Sequence, residues 1–309
     1  MINLFQMPTV KVEIGPDTHL LHGKVVEVFE DEFAKYVGSN YACGVSSCTM
    51  AIYLTLTYLK HMDLKVNLPT MLPPVVANAV IHSGVKWQFI DNPGWMGNAY
   101  TLAENPILGR IVDSAQYVSK DCAKFNGAFA TLFSFYPTKP IAGIDGGMIA
   151  TDNVEFYRWL RKAVMNGTSG AAANSWDRPV EFPGWKAYLS TAQAMVARSL
   201  LYTWPERRAR IGEIETLYSK VFHRINRGYH LYIIDVDENI GFCERMSVRG
   251  VGCGIHYYCL HKMACYAGYG AGKLSNSENA CGRVVSLPFH AGLSDENVDY
   301  IIKAVRECR

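Results

Sequence analysis

The sequence predicts an α/β fold in which helices cover a mostly parallel central sheet, followed by a small α+β unit. Two observations predict this class. Up to about residue 205, short apolar runs bounded by turn residues alternate with stretches of helical periodicity, as in sheets covered by helices. Beyond that point the alternation ends. No internal repeat or low-complexity tract interrupts the pattern, so the 309 residues make one pass through these elements.

The first elements alternate between helix and strand. Residues 24–37 carry apolar side chains at helical spacing, and the turn Gly38-Ser39-Asn40 ends this helix. The next run, YACGVSS, is predicted to be a short buried strand, and TMAIYLTLTYL the helix after it. Further apolar runs bounded by turn residues predict the other strands of the sheet: VNLPTML, VKWQFID, RIVDSA, ATLFSFY and GGMIATD.

The second half of the chain changes character. A helical stretch spans about 190–226 and should break at Trp204-Pro205, because proline lacks the amide hydrogen that a helix interior needs. After it come strand-like YHLYIIDVD, the pair CGIHYY and RVVSLPF, and a final helix from about Asp295. We therefore predict a large domain at 1–205, including the first helix, and a small carboxy-terminal domain at 206–309.

Composition and charge argue against several classes of protein. Hydrophobic residues make up 49% and charged residues 19%, which is ordinary globular usage and argues against disorder. The net charge is +2 and no stretch concentrates it, so we expect no nucleic-acid partner and no membrane surface. No apolar run is long enough to span a bilayer, and MINLFQMPTVKVEIG lacks the pattern of a secretory signal. We expect a cytoplasmic protein.

The cysteines do not form a metal-binding pattern. There are nine of them, and no CxxC pair occurs. The nearest imitation of a zinc site is the group of Cys259, His261 and Cys265, which lacks a second close ligand pair. We expect no metal and read the cysteines as reduced thiols of a reducing compartment.

Three places carry residues with chemical potential. The run 46–49 (SSCT) links a strand to a helix, and its amides and hydroxyls suit a phosphate, although the same residues are common helix caps. Asp113 follows an apolar strand, where ligands of α/β sheets bind, but it could equally cap a helix. Lys139 lies among prolines and aromatic residues in FSFYPTKP, which suits either a Schiff-base lysine or a solvated one.

Together these places match one family. With Asp113, Gln116, Ser134 and Lys139 in this order, the chain resembles the DegT/StrS family of pyridoxal-phosphate enzymes, sugar aminotransferases of the aspartate-aminotransferase fold. The resemblance covers nearly the whole chain and implies a three-layer fold with a small carboxy-terminal domain. The segments that carry it, with the family's patterns in parentheses, are VSSCTMA (VSSGTAA), VDSAQ (EDAAQ), FSFYPTK (FSFxxTK), IDGGMIATD (GGMVVTD), FPGWKAYLSTAQA (GYNYRMSELQA) and GIHYYCLH (VHYxPLH).

The resemblance also implies roles for individual residues. Lys139 would form the internal aldimine with pyridoxal 5′-phosphate and then shuttle protons, while Asp113 would keep the pyridinium nitrogen protonated. Gln116 would lie near the ring hydroxyl. Ser47, Thr49 and Ser134 are expected to hold the phosphate, and Cys48 is expected to bind the cofactor beside them. His256 and Tyr257 fall in the segment that faces the substrate, although a histidine on a strand is often structural and a tyrosine often core filling.

Four departures from the family pattern are visible. Pro73 stands where an aromatic residue usually stacks on the cofactor ring, and Cys48 stands where glycine or alanine is usual. In the segment expected to reach the neighbouring subunit's site, Lys186 and Tyr188 replace Asn and Arg, and Lys186 can still meet a phosphate. Only 21 residues separate Asp91 from Asp113, so PGWMGNAYTLAENPILG should be a short loop and the sheet should have about six strands, one fewer than usual.

The functional expectation follows from this resemblance. We expect an aminotransferase that moves an amino group from glutamate or glutamine to a nucleotide-linked keto sugar, in a homodimer whose sites are shared between subunits. Because Lys139 is present rather than histidine, the sugar 3-dehydratase branch of the family is disfavoured. Two alternatives stay open at this point: an aminotransferase for a non-sugar acceptor, and a non-catalytic binding protein on the same fold.

Overall fold

The central sheet has seven strands in the described part of the chain. The structure, a computed structural model, describes residues 1–16, 18–21, 23–169, 177–224, 226, 228–269 and 272–309. The strand order across the sheet is β1-β7-β6-β5-β4-β2-β3. The strands are β1 (Tyr41–Val45), β2 (Lys65–Pro69), β3 (Trp87–Ile90), β4 (Tyr100–Asn105), β5 (Gly109–Asp113), β6 (Ala130–Ser134) and β7 (Gly147–Thr151).

Most strands of this sheet run in one direction. Strands β2 and β3 pair in parallel, as do β5 and β6. Strand β4 is antiparallel to β2 and β5, and β7 is antiparallel to β1 and β6. Five strands therefore point the same way and end at the same edge, where ligands of α/β sheets bind.

The expectation of about six strands is wrong, because the segment predicted to be a loop contains β4. It forms a hairpin with β5, in which Tyr100 opposes Asp113 and Asn105 opposes Gly109. The Asn105 side chain closes the turn, since its Oδ1 accepts hydrogen bonds from the amides of Ile107 and Leu108 at 3.0 and 2.8 Å. A parallel strand needs a long crossover connection, whereas an antiparallel strand needs only a turn, so the short segment is long enough.

Helices pack around the sheet as their apolar spacing requires. Helix α1 ends at Gly38, whose φ of 77° is the left-handed conformation that glycine adopts most easily. Phe33 of α1 contacts Phe133 of β6, with 5.0 Å between ring centroids. The break at Trp204-Pro205 is confirmed. In order, the helices are α1 (Lys24–Val37), α2 (Cys48–Leu59), α3 (Pro74–Ser83), α4 (Cys122–Asn126), α5 (Val154–Ala163), α6 (Thr191–Tyr202) and α7 (Trp204–Phe222).

The described residues after α7 include a small antiparallel sheet and three α-helices. Strand β8 (Tyr232–Asp235) pairs with β9 (Val284–Leu287), and CGIHYY contributes only an isolated bridge from Gly254 to Ser286, not the strand we predicted. The helices are α8 (Asn239–Val248), α9 (Ser275–Cys281) and α10 (Asp295–Cys308). The division into domains at 1–205 and 206–309 stays a prediction. None of the described helices has the length and apolar character that a membrane span requires.

Candidate active site

Four of the sequence-predicted residues lie where strands end at one edge of the sheet. Strand β5 ends at Asp113 and β6 at Ser134, while β1 leads through Ser46 into the Ser47–Cys48 start of α2. Strand β4 runs the opposite way, so its first residue, Tyr100, lies at this same edge. The edge therefore carries a carboxylate, hydroxyl groups and a helix amino terminus next to one another.

The Asp113 carboxylate is buried and fully oriented by hydrogen bonds. Its Oδ2 accepts from the Tyr100 hydroxyl and its Oδ1 from the Ala115 amide, both at 2.9 Å. Burial raises the pKa of Asp113, whereas the Ala115 amide, the Tyr100 hydroxyl and the charge of Lys139 each act to lower it. The side chain is 3% exposed, so the carboxylate is held apart from bulk water.

The Lys139 amine lies within electrostatic reach of Asp113. A turn after β6 places it, with the Lys139 amide donating to the Tyr136 carbonyl at 2.9 Å. Burial lowers the pKa of Lys139, and the negative charge of Asp113 acts to raise it. Its Nζ lies 3.4 Å from Nε2 of His230. A lowered pKa increases the neutral fraction of the amine, which is the nucleophilic form.

The start of α2 offers hydrogen-bond donors beside these two residues. Ser47 caps the helix, and its Oγ accepts from the Met50 amide at 3.2 Å. The first amides of a helix have no partner within the helix, so those of Cys48 and Thr49 are available to an anion. Ser134 lies at the adjoining strand end, with its Oγ accepting from the Tyr136 amide at 3.3 Å. Burial raises the pKa of Cys48 well above its ordinary value, so its thiol is neutral.

A second network holds Gln116 and Tyr257. The Gln116 Oε1 accepts from the Gly97 amide at 2.6 Å, and its Nε2 donates to the Tyr257 hydroxyl at 2.7 Å. The Tyr257 ring lies parallel to Trp95, with 6.2 Å between centroids and 5° between planes. Gly97 and Tyr257, the hydrogen-bonding partners of the Gln116 side chain, thus both lie in loops.

The other predicted residues are placed less centrally. His256 Nδ1 lies 2.9 Å from the Ser286 hydroxyl, and burial together with the charge of Lys139 lowers the pKa of His256 to about 4. Pro73 is half-buried and precedes α3. Lys186 is exposed, and its backbone forms a bridge with Met165. His256 therefore lies within electrostatic reach of Lys139, whereas Lys186 lies at the surface.

Comparisons with known proteins identify the family. The sequence profile of the DegT/DnrJ/EryC1/StrS aminotransferase family matches residues 10–98 and 96–306. The chain belongs to this family of aminotransferases. The spore coat polysaccharide biosynthesis protein SpsC of Bacillus subtilis is 29% identical over 352 residues, covering 93% of this chain and 90% of SpsC. The resemblance inferred from the motifs is thereby confirmed.

Another relative and a solved structure agree with this assignment. A UDP-4-amino-4,6-dideoxy-N-acetyl-beta-L-altrosamine transaminase of Campylobacter jejuni is 25% identical over 341 residues, covering 92% of this chain and 90% of that protein. The aminotransferase TlmJ of Streptoalloteichus hindustanus is 23% identical, with a TM-score of 0.84 over 100% of this chain and 98% of TlmJ. The TlmJ match shows that this aminotransferase has the three-layer fold that the motifs implied.

Three residues of the aminotransferase's candidate site were not found from the sequence. Tyr100 and Trp95 lie in the segment that we predicted to be a loop, so their proximity to Asp113 and Tyr257 had no signal. His230 comes just before β8, in a run that indicated only a strand. The contact between His230 and Lys139 joins segments 91 positions apart, which no local pattern encodes.

A cavity of about 270 Å³ opens beside Lys139. Two cationic side chains line it, Lys139 and Arg207, and among the described lining residues none is acidic. Burial lowers the pKa of Arg207 to about 10, and its Nη1 and Nη2 groups donate to the carbonyls of Pro140 and Leu200.

The described residues contain no cluster of three or more histidine, cysteine or acidic side chains that could hold a metal ion.

Proposed function

We propose that this aminotransferase uses pyridoxal 5′-phosphate to move an amino group from glutamate or glutamine to the keto group of a nucleotide-linked sugar. The observation that carries the proposal is the buried pair of Lys139 and Asp113 at the edge where the strands end. Each charge favours the ionised form of the other, and burial lowers the pKa of the amine. The activity for which the Campylobacter transaminase is named supports a nucleotide-linked sugar as acceptor.

The residues at this edge fit the cofactor. When bound, pyridoxal phosphate supplies an aldehyde that condenses with a lysine amine and a protonated ring that withdraws electrons. Lys139 would provide the amine, and the Asp113 carboxylate would hold a proton on the ring nitrogen. The helix start at Ser47–Thr49, with Ser134, would bind the phosphate. Gln116 would lie near the ring hydroxyl, and Pro73 would pack on the ring face.

Proton transfer would belong to the lysine rather than to its two histidine neighbours. Burial lowers the pKa of His230 well below its ordinary value and that of His256 to about 4, so both imidazoles are neutral near pH 7. The Lys139 Nζ can accept and return a proton because its own pKa is lowered toward neutrality. His256 and Tyr257 would contact the substrate from the loop beside it.

The first test compares the visible absorption of the purified protein with pyridoxal phosphate for three proteins: wild type, Lys139→Ala and the exposed-lysine control Lys60→Ala. We expect a yellow band in the wild type and the control, no band in Lys139→Ala, and bleaching by glutamate. These results require a covalent bond between cofactor and Lys139 and the first half-reaction with an amino donor. A colourless wild type at saturating cofactor contradicts the proposal.

A second experiment tests the acceptor. Keto sugars linked to a nucleoside diphosphate are offered beside free 2-oxo acids, with glutamate or glutamine as donor, and amino-sugar formation is measured by mass spectrometry. We expect turnover only with the nucleotide-linked sugars. Turnover confined to free 2-oxo acids would instead establish a non-sugar acceptor.

We further propose a cytoplasmic homodimer in which Lys186 reaches the neighbouring subunit's site. All nine cysteines are free thiols, which suits a reducing compartment. The test mixes two impaired proteins, Lys139→Ala and Lys186→Ala, under conditions that exchange subunits. Half of the randomly formed dimers are mixed and each has one intact site of two, so about a quarter of wild-type activity should return. No recovery after proven exchange would contradict shared sites.

A further inference from the structure

The shortened segment between β3 and β5 contacts two of the candidate cofactor-binding residues. The Gly97 amide donates to Gln116, and the Tyr100 hydroxyl donates to Asp113. Tyr100 is the first residue of β4 and opposes Asp113 in register, so the two side chains share one face of the sheet. Tyr100 is 7% exposed and its ring packs against Trp95 at 4.7 Å between centroids.

We propose that Tyr100 is a positioning residue that keeps the Asp113 carboxylate ionised and oriented toward the cofactor ring. The inference rests on the proposed function, in which the Asp113 carboxylate holds a proton on the ring nitrogen of the cofactor. The hydroxyl occupies one lone pair of Oδ2 and the Ala115 amide occupies Oδ1, so the carboxylate cannot rotate freely. A further lone pair of Oδ2 stays available to a ring N–H donor.

The direction of the Tyr100 hydrogen bond follows from the charges around it. Burial and the charge of Asp113 raise the pKa of Tyr100 well above its ordinary value, so the phenol keeps its proton and donates. The other titratable groups that face Asp113 are Lys139, Cys48 and Tyr257. Burial raises the pKa of Cys48 and of Tyr257, which leaves both neutral near pH 7. Tyr100 and Lys139 are thus the side chains that oppose the effect of burial on Asp113.

The test removes the hydroxyl and keeps the ring, using Tyr100→Phe. The matched control is Tyr218→Phe. Tyr218 of α7 is also buried, and its hydroxyl donates to the Pro288 carbonyl at 3.0 Å. The affinity for pyridoxal phosphate is measured by absorption from pH 5 to 9. We expect the acid-side midpoint of binding to move up by about one pH unit in Tyr100→Phe, because a hydrogen bond to a carboxylate is lost. Tyr218→Phe should keep the wild-type midpoint.

A cofactor-free measurement provides an independent readout. A carboxyl whose folded pKa is raised above the unfolded value of 3.8 binds protons more tightly when folded, so stability falls as pH rises through that interval. Tyr100→Phe raises the folded pKa of Asp113 further and widens the interval. The variant should therefore lose more stability than wild type in denaturant titrations as the pH rises above the unfolded pKa of 3.8. Adding Tyr100→Phe to an Asp113→Asn protein should change neither pH dependence.

The outcomes separate this inference from the proposed function. If wild type binds the cofactor through Lys139 but Tyr100→Phe keeps both the binding midpoint and the wild-type loss of stability, the positioning role is overturned. A shift of the same size in Tyr218→Phe, or one that persists in the Asp113→Asn background, overturns it as well. A wild type that binds no cofactor refutes the proposed function, while the cofactor-free titration still tests the hydrogen bond.

Discussion

Gly147 offers a decisive test of how the sheet positions the start of α2. It is the first residue of β7 and pairs with the last residues of β1 and β6, Val45 and Ser134. A methyl group at Gly147 would lie 2.7 Å from the Cys48 amide nitrogen and 2.8 Å from both the Ser47 carbonyl carbon and the Phe133 carbonyl oxygen. All three are backbone atoms, so Gly147→Ala must displace either the helix start or the strands.

The magnitude follows from the cost of overpacking. Adding a methyl group to a packed interior costs about 1–3 kcal/mol, and rigid backbone neighbours place this site at the upper end, about 3 kcal/mol. For a chain of this size each kcal/mol lowers the melting temperature by roughly 2 °C, so thermal unfolding should show a fall of roughly 6 °C. The affinity for pyridoxal phosphate should fall about tenfold, because the amides proposed to bind its phosphate move.

The control makes the same chemical change where space exists. Gly212 lies inside α7, and a methyl group there meets only the Tyr229 ring, at 3.9 Å. Gly212→Ala should be as stable as wild type or more so, since alanine favours a helix interior over glycine. If Gly147→Ala unfolds at the wild-type temperature and binds the cofactor equally well, the close approach does not position α2 and the reasoning is refuted.

Two further predictions concern ionisable groups. Glu30 is 4% exposed and accepts hydrogen bonds from Arg161 and the Gly44 amide. Glu30→Ala should lower the free energy of unfolding by about 3 kcal/mol in chemical denaturation, because it leaves the Arg161 charge without its partner. The double variant Glu30→Ala with Arg161→Met should lose less, and an equal or larger loss would contradict a role of this pair in holding α1. The folded pKa of His256 is about 4 against 6.5 unfolded, so wild type should lose stability as pH falls from 6.5 to 4. His256→Gln should lose less over that interval, and an unchanged loss would contradict the burial of this imidazole.

The elements found from the sequence are those with local signals. Helix α1 follows from its apolar spacing, and the end of α6 before Trp204 follows from the missing amide hydrogen of Pro205. Strand β4 differs from the predicted loop although YTLAEN partly alternates apolar and polar residues, because the segment is shorter than in the family and its length alone indicates a loop. The short strand predicted at CGIHYY also failed, since only Gly254 finds a backbone partner there.

The candidate site divides in the same way. Asp113 and Lys139 stand in motifs that can be recognised from a single chain, and the structure places them within electrostatic reach of each other. The hydroxyl of Tyr100 reaches Asp113 because of strand register. His230 contacts Lys139 although the two residues are 91 positions apart in the sequence. Register and the packing of distant segments depend on the whole fold, so contacts of this kind have no signature in a local pattern.

The direction of β4 links the shortened chain to its candidate site. Strands β2, β3, β4 and β5 carry polar residues on one face of the sheet, as their register shows. The exposed residues of this face are Lys65, Gln88, Glu104 and Arg110. This alternation lets that face meet water. A parallel strand at the position of β4 would present its last residue at the edge where Asp113 lies, whereas the antiparallel strand presents its first, Tyr100. The hairpin that shortens the chain therefore also delivers the hydroxyl that we propose positions the carboxylate.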